Sequence, residues 1–370
     1  MTGSNPTSCK ELIDDATNSA AQPVRETILD LLQKLSINGK VLEMRKQLKD
    51  ATFIAGSMAL AGQITVFYAG PNTGKTLLTL KLIAEAAANG TVGQHVYHIN
   101  LDDTYRGLIE KGELGERHGF QVIPPSNFPR PNENFAELVD CLIAESLGAE
   151  TVFILDTTKK FVDVMDKKAS SQFMHTCRRL TETGGTIIAL SHLNKHRDGD
   201  GIGIPGGTSD VLDDCDCAYV MDIVHEEQLT GAVKRSVEFV QKKNRGPSTT
   251  QSTYSYIKYE DGDYFKMFNS VQVIDGNAAD QLRAQKAIEV EKSQDALAIS
   301  AISKLLHETP GLSQTAIVEA VHDNGISSRR KLVDCLKRWD CPKEGGGLWS
   351  TKKGPNNSST YWLTLEPPTL

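Results

Sequence analysis

The feature that most restricts this chain is Ile64–Leu82, ITVFYAGPNTGKTLLTLKL. A short apolar run, Ile64–Tyr68, leads into Ala69-Gly70-Pro71-Asn72-Thr73-Gly74-Lys75-Thr76. A helical pattern follows, with Leu77, Leu78, Leu80, Leu82 and Ile83 at helical spacing and Asn89-Gly90 as a stop. Strand, glycine-containing loop, then helix is the setting in which a Gly-Lys-Thr sequence binds phosphate. Gly70 and Gly74 accept backbone angles that a side chain forbids, so successive N–H groups can turn toward one anion. Lys75 is then placed for the β- and γ-phosphates and the Thr76 hydroxyl for Mg²⁺. The expected cofactors are ATP and Mg²⁺, cradled by Gly70, Pro71, Asn72, Thr73, Gly74, Lys75 and Thr76. The competing reading is a plain strand–helix turn.

A chain of 370 residues implies two or three domains with ample material for a core. Hydrophobic content of 39% and charged content of 24% are those of an ordinary soluble protein. No apolar run approaches membrane-spanning length, and MTGSNPTSCKELIDD lacks the basic patch and apolar core of a signal peptide. The expected location is cytoplasmic, with no membrane partner. Seven scattered cysteines fit reduced thiols, and Cys215-Asp216-Cys217 is too close and isolated for a zinc site. A net charge of −7 argues against wholesale polyanion binding but allows a local basic groove.

The order of patterns predicts an α/β protein in five stretches. Residues 1–22 form a polar tail without periodicity. Residues 23–55 carry two short helices, Val24–Leu35 (Ile28, Leu31, Leu32 and Leu35 on one face) and Val41–Leu48, which must pack on the next domain or a neighbouring subunit. Residues 56–270 alternate strand and helix. The strands are at His95–Leu101, Thr151–Leu155 and Thr186–Leu193, with helices at Asn134–Ala149 and Ser171–Thr183. Further strands at Ala218–Ile223, Ser236–Gln241 and Thr253–Tyr259 extend a mainly parallel sheet with helices on both faces. Residues 271–295 are a charged, Ala-rich helical linker. Residues 296–370 give three short helices, Ala296–Leu306, Ser313–Asn324 and Ser327–Trp339. Two strands, Gly347–Ser350 and Thr360–Leu365, complete the pattern of a winged helix-turn-helix domain.

Three groups stand out near the expected phosphate site. Asp156 ends the apolar run Thr151–Leu155, the form of a Walker B strand that holds the Mg²⁺ water shell. Hydrolysis also needs a base for the attacking water, and Asp102 or Asp103 ends the strand after the phosphate-loop helix. Either is equally suited to cap the next helix. His192 closes TIIALSHL, between the two phosphate-facing strands, where its ring can sense the γ-phosphate; an ordinary buried histidine is the alternative.

Together these motifs resemble the RecA/DnaB superfamily of ATPases, most closely the plasmid- and phage-type hexameric replicative helicases of the RepA kind. The resemblance covers roughly Gly56–Phe268, through AGPNTGKT, INLDD, VFILD, LSHLNKH, GGTSDVLDDCDCAYVM and KKNRGP. It implies a RecA-like core, a hydrolase and helicase activity in DNA replication, and a homo-oligomeric ring. In that family a glutamate at the end of the second strand is the base; Asp102 matches its position with a carboxylate one methylene shorter. The family also completes each site with a basic finger from the next subunit. In KKNRGP, Arg245 is the first candidate and Lys243 the second.

Basic residues supply the expected DNA contacts. Lys195 and Arg197 precede the glycine-rich DGDGIGIPGG, predicted to be a mobile loop; the family places a channel-lining, DNA-contacting loop here. Lys159-Lys160 and Lys167-Lys168 form a companion cluster. Between Gly325 and Gly354, eight basic residues, including Arg329, Arg330, Lys331, Lys352 and Lys353, face three acidic ones, a net of about +5. The first three are expected at the N-terminal end of a recognition helix capped by Ser327-Ser328, and the last two on a wing. The expected activity is an ATP-hydrolysing, ring-forming motor on single- and double-stranded DNA, a replicative helicase of a phage, plasmid or mobile element. The alternative is a RecA-like DNA-binding ATPase that does not unwind, such as a loader, recombination mediator or nucleotide-gated regulator. A small-molecule kinase shares the phosphate loop but has no need of basic loops and a winged helix.

Overall fold

The computed structural model describes residues 24–39, 41, 42, 45, 52–92, 95–197, 203–341, 347–354 and 359–364. The expected tail 1–22, most of the Val41–Leu48 helix, and the side chains of Lys195 and Arg197 lie outside the described residues. The described residues up to Met221, with Phe239–Gln251, form one compact unit. Asp222–Glu238 and those from Ser252 onward form another.

The first unit begins with helix α1 (Val24–Leu35) and a small antiparallel pair, β1 (Phe53–Ala55) and β2 (Ala59–Leu60). Then come β3 (Ile64–Ala69), α2 (Lys75–Ala88), β4 (His95–Asn100), α3 (Tyr105–His118), β5 (Phe120–Ile123) and α4 (Pro131–Ala144). They are followed by β6 (Thr151–Asp156), α5 (Thr158–Phe161), α6 (Lys167–Glu182), β7 (Thr186–Arg197), β8 (Gly203–Pro205) and α7 (Ser209–Asp214). Strands β9 (Cys217–Leu229), β10 (Ala232–Asn244), β11 (Gln251–Tyr259) and β12 (Gln272–Ile274), with α8 (Tyr264–Asn269), complete the sheet region.

Among the described residues one large sheet has the order β12-β11-β10-β9-β3-β7-β6-β4-β5, with β8 paired to β7. From β9 to β5 neighbouring strands are parallel, whereas β11 and β12 pair antiparallel. All six residues of β3 and all six of β6 are buried, as expected of parallel strands covered on both faces. Ile64, Val66, Tyr68, Phe153, Leu155, Ile187 and Ala189 share one core cluster with Phe135 and Val139 of α4 and with Phe173, Met174, Cys177 and Leu180 of α6. Phe135 packs edge-on to Phe153 and Phe161 at centroid separations of 5.6 and 5.9 Å. The chain is thus α/β with a large, mostly parallel sheet.

Two expectations change in this region. Of the stretch beyond Leu193, predicted to be a mobile loop, the part up to Arg197 extends β7 and Gly203–Pro205 forms β8, with Leu193 opposite Pro205 and Arg197 opposite Gly203, while 198–202 lie outside the described residues. Gly206 N–H donates to His192 O at 3.0 Å and Asn194 Nδ2 to Pro205 O at 3.1 Å, so Gly206 lies against strand backbone. Second, neither Asp102 nor Asp103 caps the helix after β4. The cap is Thr104, whose hydroxyl accepts from Gly107 N–H.

In the second unit α9 (Gly276–Gln294) precedes α10 (Ala296–Glu308), β13 (Leu312–Ser313), α11 (Gln314–Asp323), α12 (Arg329–Arg338), β14 (Trp349–Lys353) and β15 (Ser359–Leu363). The three short strands form an antiparallel sheet in the order β13-β15-β14. Ile302, Leu306, Ile317, Val321, Leu332, Leu336, Trp349 and Tyr361 make their shared core. Trp349 Nε1 donates to Leu336 O at 2.8 Å, tying the hairpin to α12, and Trp339 Nε1 donates to Asp295 Oδ2 at 2.9 Å.

Candidate functional site

The loop between β3 and α2 has two left-handed positions, Asn72 (φ 59°) and Gly74 (φ 92°), on either side of Thr73. Thr73 is buried, and its hydroxyl donates to Gly70 O at 3.0 Å, closing the loop on itself. Gly74 is the N-cap of α2 and offers no side chain, so no cap occupies the first N–H groups of this 14-residue helix. Such an end carries partial positive charge and free donors, which suit an anion.

Directly after the cap, Lys75 is only 8% exposed. Burial lowers its ammonium from the ordinary value; Asp156 and Asp102 counteract part of this and Lys159 adds to it. Thr76 Oγ1 donates to Asp156 Oδ2 at 2.7 Å, joining the start of α2 to the end of β6. Asp156 is 4% exposed. Burial opposes its ionisation, but the His98 hydrogen bond and charge, with Lys75 and Thr76, outweigh burial and hold the carboxyl at about 2. It is an anion throughout the neutral range. His98, fully buried on β4, places Nε2 3.3 Å from the same Oδ2.

His192 follows Leu190 on β7, the residue in register with Asp156, and is itself in register with Ala69. Its pKa is lowered by burial first, then by the charges of Lys75 and Lys159, while Asp102 and Asp156 pull the other way. Its buried Nε2 has no hydrogen-bond partner among the described residues. The sequence-predicted Lys75, Thr76, Asp102, Asp156 and His192 therefore converge at the ends of parallel strands, the usual place for a ligand in open α/β sheets.

The two carboxylates after β4 differ in surroundings. Asp103 accepts from Asn100 Nδ2 at 3.0 Å and Thr104 N–H at 3.1 Å and is paired with Lys111, itself buried. Burial raises its pKa, but these bonds lower it further, for a net decrease. Gly107 lies against it so closely that a Cβ there would collide with the carboxylate. Asp103 is thus part of the α3 start. Asp102 is 36% exposed and meets only the lysines of α5 among the described ion pairs.

Arg245 lies elsewhere. Its Nη1 is 3.5 Å from Asp216 Oδ1, and the guanidinium is 56% exposed. Asp216 also takes both Arg178 terminal nitrogens at 2.9 Å and the N–H of Ile64 at 3.0 Å. Ile64 begins β3, whereas the β3–α2 loop follows Ala69, so the two ends are separated by roughly 17 Å of strand. Lys243 is committed to carbonyls at the end of α7: Leu212 O at 2.9 Å and Asp213 O.

Sequence reasoning missed His98, because β4 is buried without an alternation that would single it out. It also missed the Lys159 and Lys160 contacts with Asp102, which bring two strand ends together. In the second unit Arg329, Arg330 and Lys331 are exposed on the first turn of α12, capped by Ser328 as expected. Lys353 is exposed, and Lys352 Nζ lies 5.0 Å from the Trp362 ring centroid. Arg338, by contrast, is held by Asp295 at 2.9 Å.

Thr76 and Asp156 supply hard oxygen donors of the kind Mg²⁺ takes. Among the described residues no group of three or more His, Cys, Asp or Glu side chains is placed to hold a metal ion. No described helix is long and apolar enough to cross a membrane. The chain matches no protein-family model and no curated protein.

Proposed function

We propose that the chain is an ATP-hydrolysing, ring-forming motor on DNA, with a RecA-like core and a winged helix-turn-helix domain. It would act in the cytoplasm as a replicative helicase of a phage, plasmid or other mobile element. The observation that carries this reading is the 2.7 Å Thr76–Asp156 bond beside buried Lys75 and an uncapped helix N-terminus. Gly70–Thr76 would cradle the phosphates, with Lys75 on the β- and γ-oxygens. Thr76 and Asp156 would hold Mg²⁺, which neutralises charge on those oxygens when bound. Asp102 would take a proton from the attacking water, while the water oxygen bonds to the γ-phosphorus and the bond to the β-bridging oxygen breaks. His192, whose pKa burial lowers, would sense the γ-phosphate.

Assembly into a homo-oligomer is supported by α1, whose Ile28, Leu29, Leu32 and Leu35 are 42–57% exposed. A second copy would complete the site with Arg245. The pairing of Asp102 with two lysines favours, as second reading, a slowly hydrolysing DNA-bound ATPase that does not unwind. Steady-state hydrolysis with strand displacement on a forked duplex decides. Displacement that needs ATP is expected; hydrolysis without displacement selects the second reading, and neither activity rejects both.

Arg329, Arg330, Lys331, Lys352 and Lys353 would contact duplex DNA, and Lys195 and Arg197 a single strand. In the full-length protein, Arg329→Ala with Arg330→Ala should weaken duplex binding and reduce the log–log salt slope by about 2. An unchanged slope would assign this surface to protein contacts.

A further inference from the structure

Asp102 is held by a weak, two-cation clasp. Lys160 Nζ lies 3.0 Å from Oδ1 and Lys159 Nζ 3.7 Å from Oδ2. The two lysines are 41% and 47% exposed, so water screens the attraction and a competing anion can reach them. Both sit on α5, whose next residue, Phe161, is buried among Phe128, Phe135 and Phe173. The short helix is therefore anchored at its end by packed aromatic rings. Two positive charges face one negative charge, and the surplus is open to solvent. Lys159 is also close enough to shift the ionisation of Lys75 and His192, so the clasp belongs electrically to the phosphate end of the sheet.

We propose that Lys159 and Lys160 are a seat for backbone phosphates of single-stranded nucleic acid, and that Asp102 occupies this seat when the strand is absent. A phosphate needs cations and no particular base, and two half-exposed lysines on a rigid turn supply them. Phosphate and carboxylate exclude one another: a bound strand frees Asp102, and the Asp102 charge weakens strand binding by the same factor. Resting on the proposed reading of Asp102 as the base, this makes the unloaded protein slow at hydrolysis because its carboxylate is engaged.

The test needs no nucleotide. Fluorescence anisotropy with a labelled oligothymidylate would be measured on the full-length wild type, Asp102→Asn, Lys159→Ala with Lys160→Ala, and the triple variant. Asp102→Asn should tighten binding roughly two- to fivefold, in keeping with loss of a partly exposed ion pair. The double lysine variant should bind more weakly, and adding Asp102→Asn to it should change nothing. Lys159→Gln with Lys160→Gln, which keeps side-chain length, should behave the same way. No tightening by Asp102→Asn, or equal tightening without the lysines, would overturn the shared seat while leaving the nucleic-acid reading intact. A wild type that binds no oligothymidylate would overturn both.

Discussion

Lys75→Ala is expected to lower ATP hydrolysis by roughly a thousandfold or more while the fold persists. The argument is one of differential need. In the free protein the Lys75 ammonium is buried, which lowers its pKa, and it gains only the partial support of Asp156 and Asp102. A triphosphate would supply the missing counter-charge, most strongly as negative charge builds on the leaving oxygen. Alanine removes a charge that is costly to bury and is also a good helix former at the start of α2. Thermal melting should therefore be unchanged or slightly raised. Thr76→Ala and Asp156→Ala should lose turnover as severely, but Asp156→Ala should also destabilise, since it strips buried His98 of its Asp156 contact. Hydrolysis at the wild-type rate by Lys75→Ala protein would show that the chemistry lies elsewhere.

A loss of similar size, about a thousandfold in turnover, is expected for Arg245→Ala, with ATP affinity nearly unchanged. Arg245 lies at the Ile64 end of β3 and cannot reach a phosphate held beyond Ala69 of its own chain. Its charge would act on a neighbour's γ-phosphate, chiefly in the transition state. Because Lys243 is already bound to the carbonyls of Leu212 and Asp213, Arg245 is the freer cation. Mixing separates roles: a Lys75→Ala subunit still offers Arg245, and an Arg245→Ala subunit keeps its phosphate loop. Mixed assemblies should recover activity that neither variant has alone. No recovery, in assemblies shown to be mixed, would leave Arg245 as a local partner of Asp216.

The local structure of the candidate site was legible because its signals are local. An apolar strand, a glycine turn and a periodic helix announce Gly70–Thr76, and an apolar strand ending in a carboxylate announces Asp156. The structure brings the two within a hydrogen bond. Helix α3 was anticipated only as something Asp102 or Asp103 could cap, with no range of its own, and its glycines explain why. In YRGLIEKGELGERH, Gly107 and Gly115 suggest breaks, yet each is a contact glycine, one against Asp103 and one against the Phe120 carbonyl. Strand β5 follows directly and was missed with it. The Lys159–Asp102–Lys160 clasp and the Asp216–Arg178–Arg245 cluster join residues far apart in sequence. Charge spacing along the chain carries no trace of either.

The length of β3 sets the kinetic order of the proposed reaction. If the β3–α2 loop holds the phosphates and Arg245 acts on a neighbour, a solitary chain would hold two half-sites and no whole one. Specific activity should then fall as the protein is diluted below the dissociation constant of its assembly, and a newly made copy, alone, would leave the nucleotide pool untouched.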